Sequence, residues 1–296
     1  MKEIVVISGK GGTGKTSIVA SLAALAEHAV LADCDVDAAD LHLLLTPKIE
    51  QTEDFYGGRC YHIENENCAQ CGFCEEVCRF DAVIEHNGYG DNHSFSIDPI
   101  ACESCGVCYY FCPDSAIVMD KSRTGELFTS RMRYGPMVHA RLGIAEENSG
   151  KLVALVRKRA REVADRDNAE YIIIDGPPGV GCPVISSITG ADVVLIVTEP
   201  TISGLSDLKR VAELTGHFGI KTGVCINKSD LNLDVSQQIS DYCSESDIAI
   251  LGRIGYNEEF TGALVRGEIV LEIASEDLAA KINSLWENLN QLTPVN

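Results

Sequence analysis

No stretch of this 296-residue chain comes near the roughly 20 consecutive apolar residues that a helix needs to cross a bilayer. The first apolar run, Ile4 to Ile7, is too short even for the core of a secretory signal. Cations are scarce, with 24 Lys and Arg against 44 Asp and Glu and a formal charge of -20. A negative field of that size repels phosphate backbones and anionic headgroups, so neither nucleic acid nor a membrane is expected as a partner. The expected location is cytoplasmic. With 45% hydrophobic residues, the length suffices for one α/β domain of about 200 residues and a small satellite module.

Cysteine, by contrast, is abundant. Thirteen thiols in a chain without an export signal point to metal or redox chemistry, because a reducing cytosol disfavours disulfides. Cys68, Cys71, Cys74 and Cys78 form C-x-x-C-x-x-C-x-x-x-C, and Cys102, Cys105, Cys108 and Cys112 repeat it, followed by Pro113. Soft thiolates suit iron, and three closely spaced cysteines wrap one cubic 4Fe-4S cluster. In the two-cluster ferredoxin pattern the last cysteine of each run ligates the other run's cluster. That pattern pairs Cys68, Cys71 and Cys74 with Cys112, and Cys102, Cys105 and Cys108 with Cys78. Structural zinc is the competing reading, but zinc typically takes cysteine pairs separated by longer loops. Arg79 replaces the proline that follows the second run, which leaves the first turn less constrained. Cys60, outside both runs, reads as a plain thiol, and Cys34, Cys225 and Cys243 read as core. Between Gly57 and Asp120 only Arg59 and Arg79 are cations among many carboxylates. Such a face either docks on a basic patch of an electron-transfer partner or is simply solvated.

A second signal opens the chain. The β-branched run ending at Ser8 leads into Gly9-Lys10-Gly11-Gly12-Thr13-Gly14-Lys15-Thr16, and then into the helical pattern Ile18, Leu22, Leu25. Strand, glycine loop and helix together make a P-loop: backbone N–H groups cradle phosphates, Lys15 reaches the β and γ phosphates, and Thr16 binds magnesium. Two further strands end in acids, at Asp33-Cys34-Asp35-Val36-Asp37 and at Asp175-Gly176-Pro177-Pro178-Gly179. Asp175 is assigned to the magnesium shell, Asp35 to orienting the attacking water, and the Gly179 N–H to the γ-phosphate. Asp37 and Asp40 are either switch residues or caps of a helix from Ala38 to Leu45. Asn227, at the end of a later strand, is a candidate for pairing with adenine.

With these motifs the chain resembles the MinD/Mrp group of P-loop ATPases, which includes the nitrogenase iron protein. Lys10, in K-G-G-x-G-K-T, looks like the group's signature lysine, which reaches across a dimer interface to the partner's ATP. The resemblance therefore implies a sandwich dimer, either a homodimer or a heterodimer with a similar ATPase. It covers roughly Met1 to Leu45 and Gly125 to the C-terminus, including D-G-P-P-G and Asn227. A subset with an inserted ferredoxin domain is similar also in Glu147-Asn148-Ser149-Gly150-Lys151 and Gly181-Cys182-Pro183-Val184. Three departures matter. There is no C-x-x-C after Asn227, the bridging motif of iron-sulfur carriers. The C-terminal stripe Leu278, Ile282, Leu285, Leu289 lacks the basic face of a membrane-targeting helix. Cys182 lies where the nitrogenase iron protein ligates an interfacial cluster, yet each subunit would offer only that one thiolate. It reads either as a buried, inert thiol or as part of a transient site across the dimer.

The expected fold is α/β, a doubly wound and mostly parallel sheet over 1–56 and 121–296, with an inserted α+β bacterial-type ferredoxin domain over 57–120. The expected cofactors are ATP or ADP, magnesium and two 4Fe-4S clusters. The expected activity is an ATPase whose dimer switch is coupled to electron transfer or metal-cluster delivery. Its partner would be a redox or metal-cofactor-assembly protein. A slow nucleotide or redox switch with structural clusters, acting in assembly or regulation, is the alternative. A plain ferredoxin with a vestigial P-loop conflicts with the retained Lys10, Lys15, Thr16, Asp35 and Asp175.

Overall fold

The computed structural model describes residues 1–87, 93–143 and 149–292. The chain separates into two compact units, one built from Met1–Glu53 and the chain from Gly125 onward, the other from Asp54–Thr124.

Strands are numbered along the chain. The first are β1 (Lys2–Ser8), β2 (Ala29–Asp33) and β3 (Lys48–Phe55). Then come β4 (Gly58–Ile63), β5 (Val83–Asn87), β6 (His93–Ile97) and β7 (Ile117–Ser122). The last are β8 (Gly125–Met132), β9 (Gly135–Leu142), β10 (Tyr171–Pro178), β11 (Val193–Thr198), β12 (Lys221–Asn227) and β13 (Ala249–Ile254). The large unit holds a sheet in the order β13-β12-β11-β1-β10-β2-β9-β8-β3. From β13 to β9 every neighbouring pair is parallel, and β8 runs antiparallel to β9.

Parallel strands covered on both faces need continuous apolar runs, and β1 and β11 supply them. On one face Ile4, Val6, Leu31, Ile173, Leu195 and Val197 pack with Leu22 of the helix Lys15–Leu25 and with Leu278, Ile282, Leu285 and Leu289 of the helix Glu276–Leu292. Their chain neighbours Val5, Ile7, Ile172, Ile174, Val194 and Ile196 point the other way and are equally buried. The helices Ser149–Asp167 and Cys182–Ile188 pack with β10. The C-terminal stripe is thus spent on the core. No helix of the described residues is long and apolar enough to cross a membrane.

Asp175 lies opposite Val6 of β1 on one side and Asp33 of β2 on the other, and Asp33 lies opposite His139 of β9. This register lines up acids at the C-terminal edge of the strands, where ligands of parallel sheets bind.

Two features depart from the pattern expected from periodicity. Strands β3, β8 and β9 widen the sheet; β3 is polar and mostly exposed at the edge, and β8 and β9 carry buried polar residues that break an apolar run, Ser130 and His139 being bonded to each other at 3.0 Å. The helix expected over Ala38 to Leu45 is confined to Leu41–Leu45, because a turn from Asp35, in which the Ala38 N–H donates to the Asp35 carbonyl at 3.0 Å, occupies the preceding residues.

The smaller unit consists of two antiparallel pairs, β4 with β7 and β5 with β6. Its internal duplication extends to the backbone. Gln70 and Ser104, Gly72 and Gly106, and Asp81 and Ser115 occupy equivalent places in the two cysteine runs, and all six have positive φ. Each glycine precedes a one-turn helix, Phe73–Glu76 or Val107–Phe111.

Candidate functional site

The loop 9–14 joins β1 to the helix Lys15–Leu25. Gly14 has φ 87, and a Cβ there would lie 2.4 Å from Nδ2 of Asn227, so the loop tolerates only glycine at this point. The loop forms one wall of an open cleft of about 500 Å³ that Asp35, Asp40, Leu43, Pro178 and Leu264 also line.

The helix start carries Lys15 inward. Its Nζ contacts the Asp175 carboxylate and lies 3.6 Å from Oδ2 of Asp35. Burial opposes the ammonium, but Asp175 and then Asp35 hold it above the ordinary lysine range. Asp35 is itself raised, first by burial, against the pull of Lys15. Asp33 is fully buried; burial and the neighbouring Asp175 hold it well above the usual carboxylate range. It accepts the Asp35 N–H at 3.1 Å, and its second oxygen has no partner among the described residues. Lys15 thus sits among three acids. Thr16, next in the chain, is half-buried beside the same cleft. Asp37 is exposed, and Asp40 precedes the helix Leu41–Leu45 without a side-chain cap bond.

Three residues of the sequence reading are engaged in ways the sequence did not indicate. Lys10 folds back onto its own chain, 2.6 Å from Glu199, and also reaches Thr201 and Ser203 at 3.2 and 3.3 Å. The Gly179 N–H donates to the Ser8 carbonyl at 2.9 Å, because β10 stays paired with β1 as far as Pro178; offering it to a phosphate requires that bond to open. Asn227 is buried, its Nδ2 donating to the Thr13 carbonyl at 2.8 Å and its Oδ1 accepting the Lys228 N–H at 3.0 Å. It braces the loop.

Glu199 and Lys228 stand outside the motifs of the sequence, and Asp33 stands in the Asp33-Cys34-Asp35 segment without an assigned role. Glu199 bridges Lys10 and Lys228, and Lys228 also donates to the Gly12 carbonyl at 3.0 Å. Burial raises Glu199, yet the hydrogen bonds from Lys10 and Lys228 leave it below its ordinary range. The available signal was a charge directly beyond each buried strand run, V-V-L-I-V-T before Glu199 and V-C-I-N before Lys228.

The smaller unit holds two cavities. One is lined by Cys68, Cys71, Cys74 and Cys112, the other by Cys102, Cys105, Cys108 and Cys78. Each therefore takes three cysteines from one run and the last from the other. Their remaining linings are mainly apolar, with Ile63, Phe73, Phe95 and Ile117 in the first and Tyr61, Phe80, Val83 and Ile97 in the second. The Gln70 N–H donates to the Cys68 sulfur at 3.4 Å and the Ala116 N–H to the Cys112 sulfur at 3.3 Å. Burial pushes the Cys74 thiol up to about 11 and Cys108 in the same direction. No group of three or more metal-binding side chains among the described residues is arranged to hold a single metal ion.

Of the other cysteines, Cys34, Cys225 and Cys243 are buried, as their strand and helix patterns implied, and Cys60 is half-buried. Cys182 is exposed, which overturns its reading as a buried thiol: it occupies the first position of the helix Cys182–Ile188, directly after Gly181. Glu147 and Asn148 lie outside the described residues; Ser149, Gly150 and Lys151 open the helix Ser149–Asp167.

Comparison with known proteins agrees with this geometry. The chain is 37% identical over 233 residues to the uncharacterized protein MJ0578 of Methanocaldococcus jannaschii, covering 78% of this chain and 79% of that one. The cell division ATPase MinD of Pyrococcus furiosus superposes with a TM-score of 0.57 at 16% identity, covering 99% of both chains. The septum site-determining protein MinD of Pyrococcus horikoshii, complexed with Mg-ADP, superposes with a TM-score of 0.56 at 16% identity, covering 98% of this chain and 96% of that one. At such identities the superpositions speak for the fold. A family model for the CobQ/CobB/MinD/ParA nucleotide binding domain matches residues 4–270, and the chain belongs to that family.

Proposed function

We propose that this chain is a magnesium-dependent ATPase of the MinD type that carries two 4Fe-4S clusters and couples a nucleotide-dependent dimer switch to electron transfer or cluster delivery to a partner protein. The observation that carries the reading is the crossed lining of the two cysteine cavities, three thiols from one run and one from the other.

The donor set fits the clusters. Soft sulfur in an apolar shell suits iron-sulfur cubes, and each cavity has four thiols in its lining. Thiols raised by burial become thiolates only when a cationic centre stabilises them. When bound, such clusters supply one-electron chemistry. The chain enters the smaller unit from β3 and returns through β8, two strands of the nucleotide-binding unit's own sheet.

At the P-loop, an arriving triphosphate would compete with Asp175 and Asp35 for Lys15, and the carboxylates so released would be free to hold a magnesium ion. Thr16, Asp35 and Asp175 would hold the ion. Lys15 neutralises the phosphoryl oxygens and Asp35 orients the water. ATP is the proposed substrate because the Pyrococcus horikoshii relative holds Mg-ADP. The Lys10–Glu199 ion pair favours slow turnover in an isolated subunit, since Lys10 must leave Glu199 before it reaches a second active site.

A mixing experiment tests the dimer. Asp35→Asn is expected to bind nucleotide nearly normally and to release phosphate at least about 100-fold more slowly. Lys10→Ala is expected to be similarly slow. Combined, the two variants regain one competent site per heterodimer, because Lys10 of one subunit serves the intact Asp35 of the other. No recovery of phosphate release on mixing contradicts the shared site.

A further inference from the structure

The two cysteine runs fold alike and differ in what they carry. In register, Glu75, Glu76 and Val77 of the first correspond to Tyr109, Tyr110 and Phe111 of the second. Each segment lies between a cysteine of one cavity and a cysteine of the other, Cys74 and Cys78 in the first run, Cys108 and Cys112 in the second. Either segment thus stands beside both cavities. The first presents charge, with Glu75 and Glu76 exposed and Val77 half-buried. The second presents three consecutive aromatic side chains, Tyr109, Tyr110 and Phe111, which are 36, 70 and 64% exposed on a helix with no buried residue.

Apolar residues exposed singly are ordinary, but a contiguous aromatic face on a chain of charge -20 is not. The backbone does not require it, because the same one-turn helix forms in the first run with glutamates at these places. The aromatics are also held in order. Gly106 lets the helix start close against buried Tyr61, whose hydroxyl oxygen a Cβ would meet at 2.6 Å. The Tyr109 ring lies 5.7 Å from that of Tyr61, and Tyr110 stands edge-on to Tyr109 at 5.2 Å. Aromatic side chains held in this way surrender little entropy when covered, which is why they anchor protein interfaces.

Charge selects the occupant. Glu103 and Asp114 flank the helix along the chain and are exposed, and Arg59 and Arg79 are the only Lys or Arg over 57–120. A second copy of this chain, equally acidic, is repelled by such a rim, whereas a protein with a basic ring around an apolar patch is attracted. We infer that the aromatic face of Tyr109, Tyr110 and Phe111 docks a one-electron carrier protein whose own docking patch is apolar at its centre and ringed by Lys or Arg. The face of Glu75 and Glu76 stays solvated. That the docked partner exchanges electrons rests on the cluster reading, and the docking itself does not.

A basic c-type cytochrome, with lysines around its exposed haem edge, is the probe for the full-length protein purified without oxygen. Calorimetry at low salt with both proteins oxidised measures docking alone, since no electron moves. The wild type is expected to bind with an affinity that falls as salt rises. Tyr110→Ser combined with Phe111→Ser is expected to lose about 30-fold, the size of one interface hot spot. Tyr110→Phe combined with Phe111→Tyr is expected to bind as the wild type does. Glu75→Gln combined with Glu76→Gln is expected to lose less than about threefold, because a solvated face acts only through its screened field. With the protein reduced beforehand by dithionite, each ferric haem takes one electron from a reduced cluster and becomes ferrous. The serine pair is expected to slow that transfer about as much as it weakens binding, while hexaamminecobalt(III), a small oxidant that needs no docking face, is reduced at the wild-type rate. Absence of binding by the wild type at low salt, or wild-type affinity in the serine pair, overturns the docking face. A larger loss from the glutamine pair overturns it by placing the site on the other run. Dissociation of an oligomer by the serine pair in sedimentation, with cytochrome binding unchanged, gives the face to a second copy and overturns it too. Docking that depends on Tyr110 and Phe111 without any haem reduction removes the cluster reading and leaves the face standing.

Discussion

Replacing Lys15 by alanine should weaken nucleotide binding by roughly 30- to 4,000-fold. The Lys15 ammonium is the cation paired with Asp175 and Asp35, and Asp33 lies buried next to Asp175. Without it an incoming phosphate meets acids with no intervening positive charge. Truncating one partner of a desolvated charge pair costs about 2–5 kcal/mol, or roughly 30- to 4,000-fold in affinity. Calorimetry with the magnesium-bound nucleotide measures this directly, with circular dichroism to establish that the variant is folded. A folded Lys15→Ala protein that still binds at wild-type affinity contradicts the assignment of the loop.

The second large effect is expected at Cys112. This cysteine is the last of the second run in the sequence yet lines the cavity of the first, and the Ala116 N–H donates to its sulfur. Cys112→Ser replaces a soft ligand by a hard, weakly acidic hydroxyl. The cluster assigned to Cys68, Cys71 and Cys74 should therefore be lost or spectroscopically altered, with total iron falling by about half if it is lost. The cluster assigned to Cys102, Cys105, Cys108 and Cys78 should keep its electron paramagnetic resonance signature. If Cys112→Ser instead perturbs that second signal and spares the first, the crossed ligation is wrong.

What the sequence made legible was local. The strand before Ser8, the glycine loop and the helix after Lys15 follow one another within a few residues, so their order alone identifies them. The cysteine runs carry their spacing with them, and left-handed residues recur at equivalent places in both. Burial of Cys34, Cys225 and Cys243 was readable from apolar neighbours on buried strands and a helix. The illegible part depends on partners brought together by the fold. Glu199 meets Lys10 only because β11 lies next to β1, and Lys228 meets Gly12 because β12 lies beyond β11. No window of the sequence contains those pairs. The exposure of Cys182 was not readable in the sequence, because the turn after Gly179 leaves the helix Cys182–Ile188 with its first residue exposed, whereas Val184 and Ile188 face the core. Strand β3, exposed along most of its length, has no apolar alternation for a periodicity argument to find.

In the proposed function, nucleotide state and cluster chemistry are coupled in one chain. Coupling between two binding events is reciprocal, so a nucleotide that prefers one oxidation state of the clusters must shift their reduction potential. The decisive measurement is a redox titration of the oxygen-free protein, followed by electron paramagnetic resonance, without nucleotide and with saturating magnesium nucleotide. At least one cluster is expected to shift by tens of millivolts, about 59 mV corresponding to a tenfold change in nucleotide affinity for a one-electron couple. Potentials identical in both states would contradict it and leave the clusters and the P-loop as independent devices in one polypeptide.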